Sequence, residues 1–146
     1  MKVLIAEDHM ITARLLERML KADTDLEIVG VASNGKQVLS MVKENEVDII
    51  LMDINMPFLD GLHAMEKISY INPNIKIIVV SGYTEAWIIK FSISSGAQGY
   101  LSKRVNVGEI LEAINVVREG GTYLDEFSLN AIVDDYDIKD NRYAYT

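Results

Sequence analysis

Five short apolar runs alternate with helical patterns along this chain, and that alternation narrows its fold more than any other feature. The runs are Val3 to Ala6, Ile28 to Ala32, Val47 to Met52, Ile75 to Val80 and Gly99 to Leu101. Apart from Asp48 and Lys76 near the start of two runs, each is apolar at consecutive positions, as a strand buried on both faces should be. Between them, Ile11, Leu15, Leu16, Met19 and Leu20 form one helical stripe. Val38, Met41 and Val42 form another, preceded by Asn34 with Gln37 three residues on, a capping-box-like start. Val107, Ile110, Leu111, Ile114 and Val117 have near-ideal helical spacing and end at Gly120-Gly121. Parallel strands need crossovers, and crossovers are right-handed. The pattern therefore predicts an α/β domain with a five-stranded parallel sheet and helices on both faces.

Composition sets the outer limits. A chain of 146 residues, about half hydrophobic, can bury a real core. Fourteen basic residues against twenty-two acidic ones give a charge of −8, with no concentrated basic patch. Such a chain repels nucleic acid. The absence of cysteine excludes disulfides and thiolate metal sites. No apolar run approaches the roughly 20 residues needed to span a bilayer, and the opening Met1 to Ala6 is too short and too soon acidic for a signal peptide. The expectation is a cytoplasmic protein with no membrane partner.

A parallel sheet of this kind places its chemistry at the carboxyl ends of its strands. Glu7 and Asp8 follow the first run, Asp53 the third, Ser81 and Gly82 the fourth, and Lys103 the fifth. Each has an ordinary explanation by itself. Asp8 could cap the next helix, Glu7 and Lys103 could be solvated, Asp53 could brace the turn at Met56-Pro57, and Ser81 could be a turn hydroxyl. Their conjunction is what these readings leave out. Three carboxylates in one cleft repel unless a cation compensates. All-oxygen ligands suit a hard divalent ion, Mg²⁺ better than Ca²⁺. Lys103 would then meet a phosphoryl oxygen as a point charge.

These residues carry a family resemblance. Residues 2 to about 124 resemble the receiver domains of bacterial response regulators. The matching motifs are Glu7-Asp8, the run Met52-Asp53-Ile54-Asn55-Met56-Pro57 with Asp60-Gly61, Ser81-Gly82, and Gly96 to Lys103. The stretches Glu109 to Ile114 and Gly120 to Leu124 are most similar to the subgroup with LuxR-type (NarL/FixJ-like) helix-turn-helix output.

The resemblance implies a flavodoxin-like (βα)5 fold of strand order 2-1-3-4-5. It implies a phosphorylation-dependent signalling switch, a regulatory domain rather than an enzyme, with self-catalysed phosphotransfer and dephosphorylation. Asp53 would be the phosphoacceptor, served by a sensor histidine kinase or a small phosphodonor. Mg²⁺ (or Mn²⁺) would be held by Asp8, Asp53 and the backbone carbonyl of Asn55, with Glu7 acting through water. Lys103 would pair with the phosphoryl group, Ser81 would hydrogen-bond it, and Tyr100 would turn inward with Ser81 as the switch. Two departures stand out: Arg104 replaces the proline common after the family's lysine, and Ser81 replaces threonine. Tyr83, two residues past the hydroxyl, is expected to hinder attacking water.

Outside the site, Trp87 and Phe91 lie four apart on a face distinct from Ala86, Ile89 and Ile93. Exposed aromatics at that spacing suggest a partner surface. After Leu124, Leu129, Ile132, Val133 and Tyr136 fall at helical spacing with Ser128 as cap, followed by a polar end from Asp137 to Thr146. The expectation is a receiver domain over 1–124, then a short amphipathic helix with a tail or truncated linker over 125–146. That leaves no space for a DNA-binding domain, so DNA would be reached only through an output domain. A phosphorylation-dependent homodimer is among the partners this implies. The alternative function is a receiver-like interaction module that works without phosphate. An aspartyl phosphatase of the haloacid-dehalogenase type would need a general acid where Asn55 stands, and asparagine cannot serve.

Overall fold

The computed structural model describes residues 1–56 and 60–144, with side chains described as far as Tyr136. Pro57 of the central motif, and Tyr145 and Thr146 of the tail, lie outside the described residues. Strands and helices alternate throughout: β1 Lys2–Ala6, α1 Met10–Lys21, β2 Glu27–Ala32, α2 Gly35–Glu44, β3 Ile49–Met52, α3 Gly61–Ile71, β4 Lys76–Ser81, α4 Ala86–Ser94, β5 Gly99–Ser102, α5 Val107–Arg118, β6 Tyr123–Leu124 and α6 Glu126–Ala144.

All the strands pair in parallel, in the order β2-β1-β3-β4-β5-β6. The expected order holds for its first five members, but among the described residues the sheet has six strands, not five. The extra strand is two residues long and pairs Tyr123 with Gly99 and Leu124 with Tyr100. A segment so short carries no readable period, and Gly120-Gly121 before it reads only as a helix stop. Gly120 does serve that end: its φ of +90° reverses the chain, and Gly121 donates its N–H to the Val116 carbonyl.

Alternate residues of each strand feed two cores. Val3, Ile5, Ile49, Leu51, Ile78 and Leu101 meet Leu20, Ile110, Ala113, Ile114 and Val117 from α1 and α5. Leu4, Ala6, Ile50, Met52, Ile77, Val79 and Tyr100 meet α2, α3 and α4 on the other face. The capping signals act as read at α2, where Asn34 accepts the Gln37 N–H at 2.9 Å and Gln37 accepts the Ser33 N–H at 2.7 Å.

Two helices depart from expectation. The α1 stripe is split: Leu20 is fully buried beside Ala13, whereas Ile11, Leu15 and Met19 are 79%, 53% and 49% exposed. The small Ala13 is buried, Leu16 packs against the core, and the larger residues on the stripe's other side stay about half exposed or more. The C-terminal helix runs to Ala144, past the polar end expected from Asp137. Its cap is Asp125, not Ser128: Asp125 Oδ1 accepts the Ser128 N–H at 2.8 Å. Ala131 and Ile132 pack on the α4-side core, and Lys90 on α4 pairs with Asp135 at 2.6 Å. Among the described residues, no helix is long and apolar enough to cross a membrane.

Candidate functional site

Register brings the strand ends together. Ala6 pairs with Met52, Met52 with Val79, and Ser81 with Ser102. The residues just beyond β1 and β3 therefore lie level, and β4 and β5 both reach two residues further along the same edge, to Ser81 and Ser102. Gly61, opening α3, packs against the turn that carries Asp53. A Cβ there would fall 2.5 Å from the Asp53 carbonyl oxygen, so only glycine permits this approach.

Asp53 is buried and held at both oxygens. Oδ1 accepts the Asn55 N–H at 3.0 Å, and Oδ2 lies 3.0 Å from Lys103 Nζ. The same ammonium is 3.1 Å from Glu7 Oε2. Glu7, also buried, takes the His9 N–H at 3.2 Å, with His9 Nδ1 at 2.9 Å. Burial pushes the Asp53 carboxyl above the ordinary aspartate value; the Asn55 N–H and Lys103 pull it down, and the Glu7 charge adds to the rise. Burial works against the Lys103 ammonium, but its hydrogen bond to Asp53, the Asp53 charge and Glu7 outweigh that and raise its pKa. The hydrogen bond to Glu7, and then the Asp8 charge, also raise the His9 imidazole.

Asp8 does not cap α1. The helix begins after His9, and no side chain caps it. Asp8 Oδ1 is instead buried without a hydrogen bond, since His9 Nδ1, 3.2 Å away, is directed at Glu7. Ligand atoms of Glu7, Asp8, His9 and Asp53 all lie within 4.8 Å of one another. A buried carboxylate oxygen that accepts no hydrogen bond, beside two more carboxylates, suits a hard divalent cation. The residues present fit Mg²⁺ or Mn²⁺.

Ser81 and Tyr100 lie beside this cluster and are connected to each other. Ser81 Oγ accepts the Tyr83 N–H at 3.1 Å, and the Tyr100 hydroxyl donates to the Tyr83 carbonyl at 2.6 Å. Tyr100 is already inward, with no exposed surface. Open space lies beside Gly82, where a Cβ would meet nothing within 4 Å. Tyr83 is 40% exposed. Trp87 and Phe91 stand apart from the site and are 69% and 52% exposed, as expected of a surface pair. Phe91 lines a groove with Asp60, His63 and Tyr70 of the α3 region.

Burial, which disfavours the phenolate, pushes the Tyr100 hydroxyl above its ordinary value, and the Glu85, Asp125 and Asp53 charges add to the rise. A group whose folded pKa is raised contributes stability in full below its unfolded pKa and loses it as pH rises through the folded one. The thermal midpoint should therefore fall above about pH 10. Thermal denaturation from about pH 8 to 11 should show a shallower alkaline fall in Tyr100→Phe.

Sequence reasoning missed Asp125. It is buried; its Oδ2 accepts the Ser102 N–H at 2.7 Å while Oδ1 caps α6. Its spacing to Ser128 was a local signal for a helix start, but the bond to Ser102 joins residues 23 apart and leaves no local trace. Arg104, where the family's proline would stand, lies over the Phe127 ring at 5.4 Å. The residue after Lys103 thus also touches α6.

Residues 3–115 match the family described as response regulator receiver domain. The oxygen regulatory protein NreC of Staphylococcus haemolyticus is 31% identical over 93% of this chain and 63% of its own length. Response regulator UvrY of Escherichia coli is 34% identical over 84% of this chain and 56% of its own. The chain therefore spans less than two thirds of the length of these relatives. A LuxR-family two-component response regulator from Aurantimonas sp. superposes with a TM-score of 0.88 at 19% identity, covering 92% of this chain and 96% of that one. The CheY-like receiver domain protein from Methanospirillum hungatei gives 0.72 at 27% identity, covering 78% and 90%.

Proposed function

Because this chain belongs to the response regulator receiver domain family, we propose that it is a phosphorylation-dependent switch whose acceptor is Asp53. The observation that carries this reading is the buried Asp53 carboxylate, 3.0 Å from Lys103, beside an Asp8 oxygen that accepts no hydrogen bond. Asp8, Asp53 and the Asn55 carbonyl would hold Mg²⁺ or Mn²⁺, with Glu7 acting through water. A cation so held would neutralise charge on the transferring phosphoryl group.

The chain's own residues do the rest. The Asn55 N–H fixes one Asp53 oxygen, which orients the carboxylate for in-line attack. Lys103 already stands at the other oxygen and needs little movement to meet a phosphoryl oxygen. Ser81 Oγ is used as an acceptor by Tyr83, so its O–H remains able to donate to the phosphoryl group. A pull on Ser81 would pass through the Tyr83 peptide to the Tyr100 hydroxyl, and so to the β5 face. The donor in a cell would be a sensor histidine kinase, and the readout would be transcription through an output domain of a longer protein. The exposed Trp87–Phe91 pair is the proposed partner surface.

Incubation with Mg²⁺ and acetyl phosphate should add one phosphoryl group by intact mass, and Asp53→Asn should add none. A folded wild-type protein that gains no mass would overturn this reading in favour of a phosphate-independent interaction module.

A further inference from the structure

Among the described residues, the cluster at the strand ends brings three carboxylates to one nitrogen donor, His9. His9 is the N-cap of α1, yet its side chain caps nothing. The ring is directed at the carboxylates instead. Its Nδ1 lies 2.9 Å from Glu7 Oε1 and 3.2 Å from Asp8 Oδ1, the buried oxygen that accepts no hydrogen bond. Neighbouring ligands of an octahedral ion are separated by the bond length times the square root of two, about 3 Å for bonds of about 2.1 Å. His9 Nδ1 and Asp8 Oδ1 therefore already have the spacing of one octahedral edge. The side chain is 68% exposed, so the ring proton can sit on Nε2 and leave Nδ1 its lone pair.

We propose that His9 is a ligand of the cation site, and that it gives the site a preference for first-row transition dications over Mg²⁺. The proposal rests on Asp8 and Asp53 holding the cation. An imidazole nitrogen is a borderline donor that suits ions such as Fe²⁺ and Ni²⁺. Mg²⁺ favours oxygen and gives up its water reluctantly, so it keeps a water where a transition ion takes Nδ1. The two kinds of ion share the carboxylates and differ in this one contact. Removing the ring therefore separates them, which a residue that merely steadied Glu7 would not do.

The test titrates Mg²⁺ and Ni²⁺ separately and takes each affinity from the rise in thermal midpoint, at about pH 8, above the ordinary imidazole range. Asp8→Asn should weaken both ions. His9→Ala should weaken Ni²⁺ at least about tenfold and change Mg²⁺ by less than about twofold. His9→Gln keeps a hydrogen-bond donor for Glu7 but lacks the ring nitrogen, and should behave as His9→Ala. Mn²⁺ gives the direct readout: its electron spin echo should carry an imidazole-nitrogen modulation that disappears in His9→Ala. That modulation should persist in His63→Ala, which removes the chain's other histidine. Recovery of Ni²⁺ affinity in His9→Gln, an equal loss of both ions in His9→Ala, or bound Mn²⁺ without the modulation would each overturn ligation by His9, with Asp8 and Asp53 still holding the cation. A wild-type midpoint that no ion raises, or an Asp8→Asn that weakens neither, would remove the cation site and the role of His9 with it.

Discussion

Lys103→Met should slow Mg²⁺-dependent phosphorylation of Asp53 by acetyl phosphate by roughly a hundred- to a thousandfold, the loss typical of removing one preorganised charge donor from a transition state. Lys103 is the cation placed between Asp53 and Glu7, at 3.0 and 3.1 Å. Methionine keeps much of the length and apolar stem but removes the charge. Two effects then act in the same direction. The phosphoryl oxygens lose their positive partner, and Asp53, already pushed up by burial, loses a group that held it down, so less of it is ionised. Lys103→Arg should restore only part of the rate, because a planar fork cannot occupy the place of a compact ammonium. A time course of intact mass measures both. The rise in thermal midpoint on adding Mg²⁺ should persist in Lys103→Met, since the proposed ligands Asp8 and Asp53 are unchanged. A variant that kept the wild-type rate would show that Lys103 only pairs with its neighbours in the resting protein.

Asp125→Ala carries the largest expected effect on stability. The carboxylate satisfies two buried N–H groups, Ser102 on β5 and Ser128 in the first turn of α6. Loss of a helix cap costs about 1 kcal/mol, and a buried N–H left without a partner costs about 1–3 kcal/mol more. Together these predict a destabilisation of about 2–4 kcal/mol, and a fall of roughly 10 °C in the thermal midpoint of a domain this size. Asp125→Asn keeps one acceptor oxygen and should fall between Ala and wild type. Circular dichroism during heating would measure all three. A shift of less than a degree or two in Asp125→Ala would mean that water reaches both donors once the carboxylate is gone.

How much was legible beforehand depended on how local each signal was. Strands β1, β3 and β4 announced themselves as runs apolar on both faces, and the site followed because parallel sheets gather their strand ends. Glu7, Asp8, Asp53 and Lys103 are scattered along the chain, yet strand order alone was enough to predict their meeting. The α1 stripe misled because hydrophobicity gives a helix's apolar arc, not which edge of it faces the sheet; Ala13 decides that, and alanine is nearly silent in such a pattern. Strand β6 was invisible because two residues have no period. The length of α6 was misjudged because its polar second half carries no apolar stripe, and helix there continues from a well-capped start. Asp125 looked like the beginning of a tail because its decisive bond reaches across the chain to Ser102. The partner role of Trp87 and Phe91 was inferred from spacing; their exposure supports the premise.

The contact between Lys103 and Glu7 closes a loop of 96 residues, nearly the whole receiver fold. No fragment of the chain can possess the site, because its two halves meet only when the sheet between them is complete. A cation that occupies the site therefore binds the folded chain and has no counterpart in the unfolded one. By mass action its binding free energy is added to the stability of the entire domain. Cation binding and folding are in this sense thermodynamically one equilibrium, and the cation-loaded molecule is by necessity also the harder one to unfold.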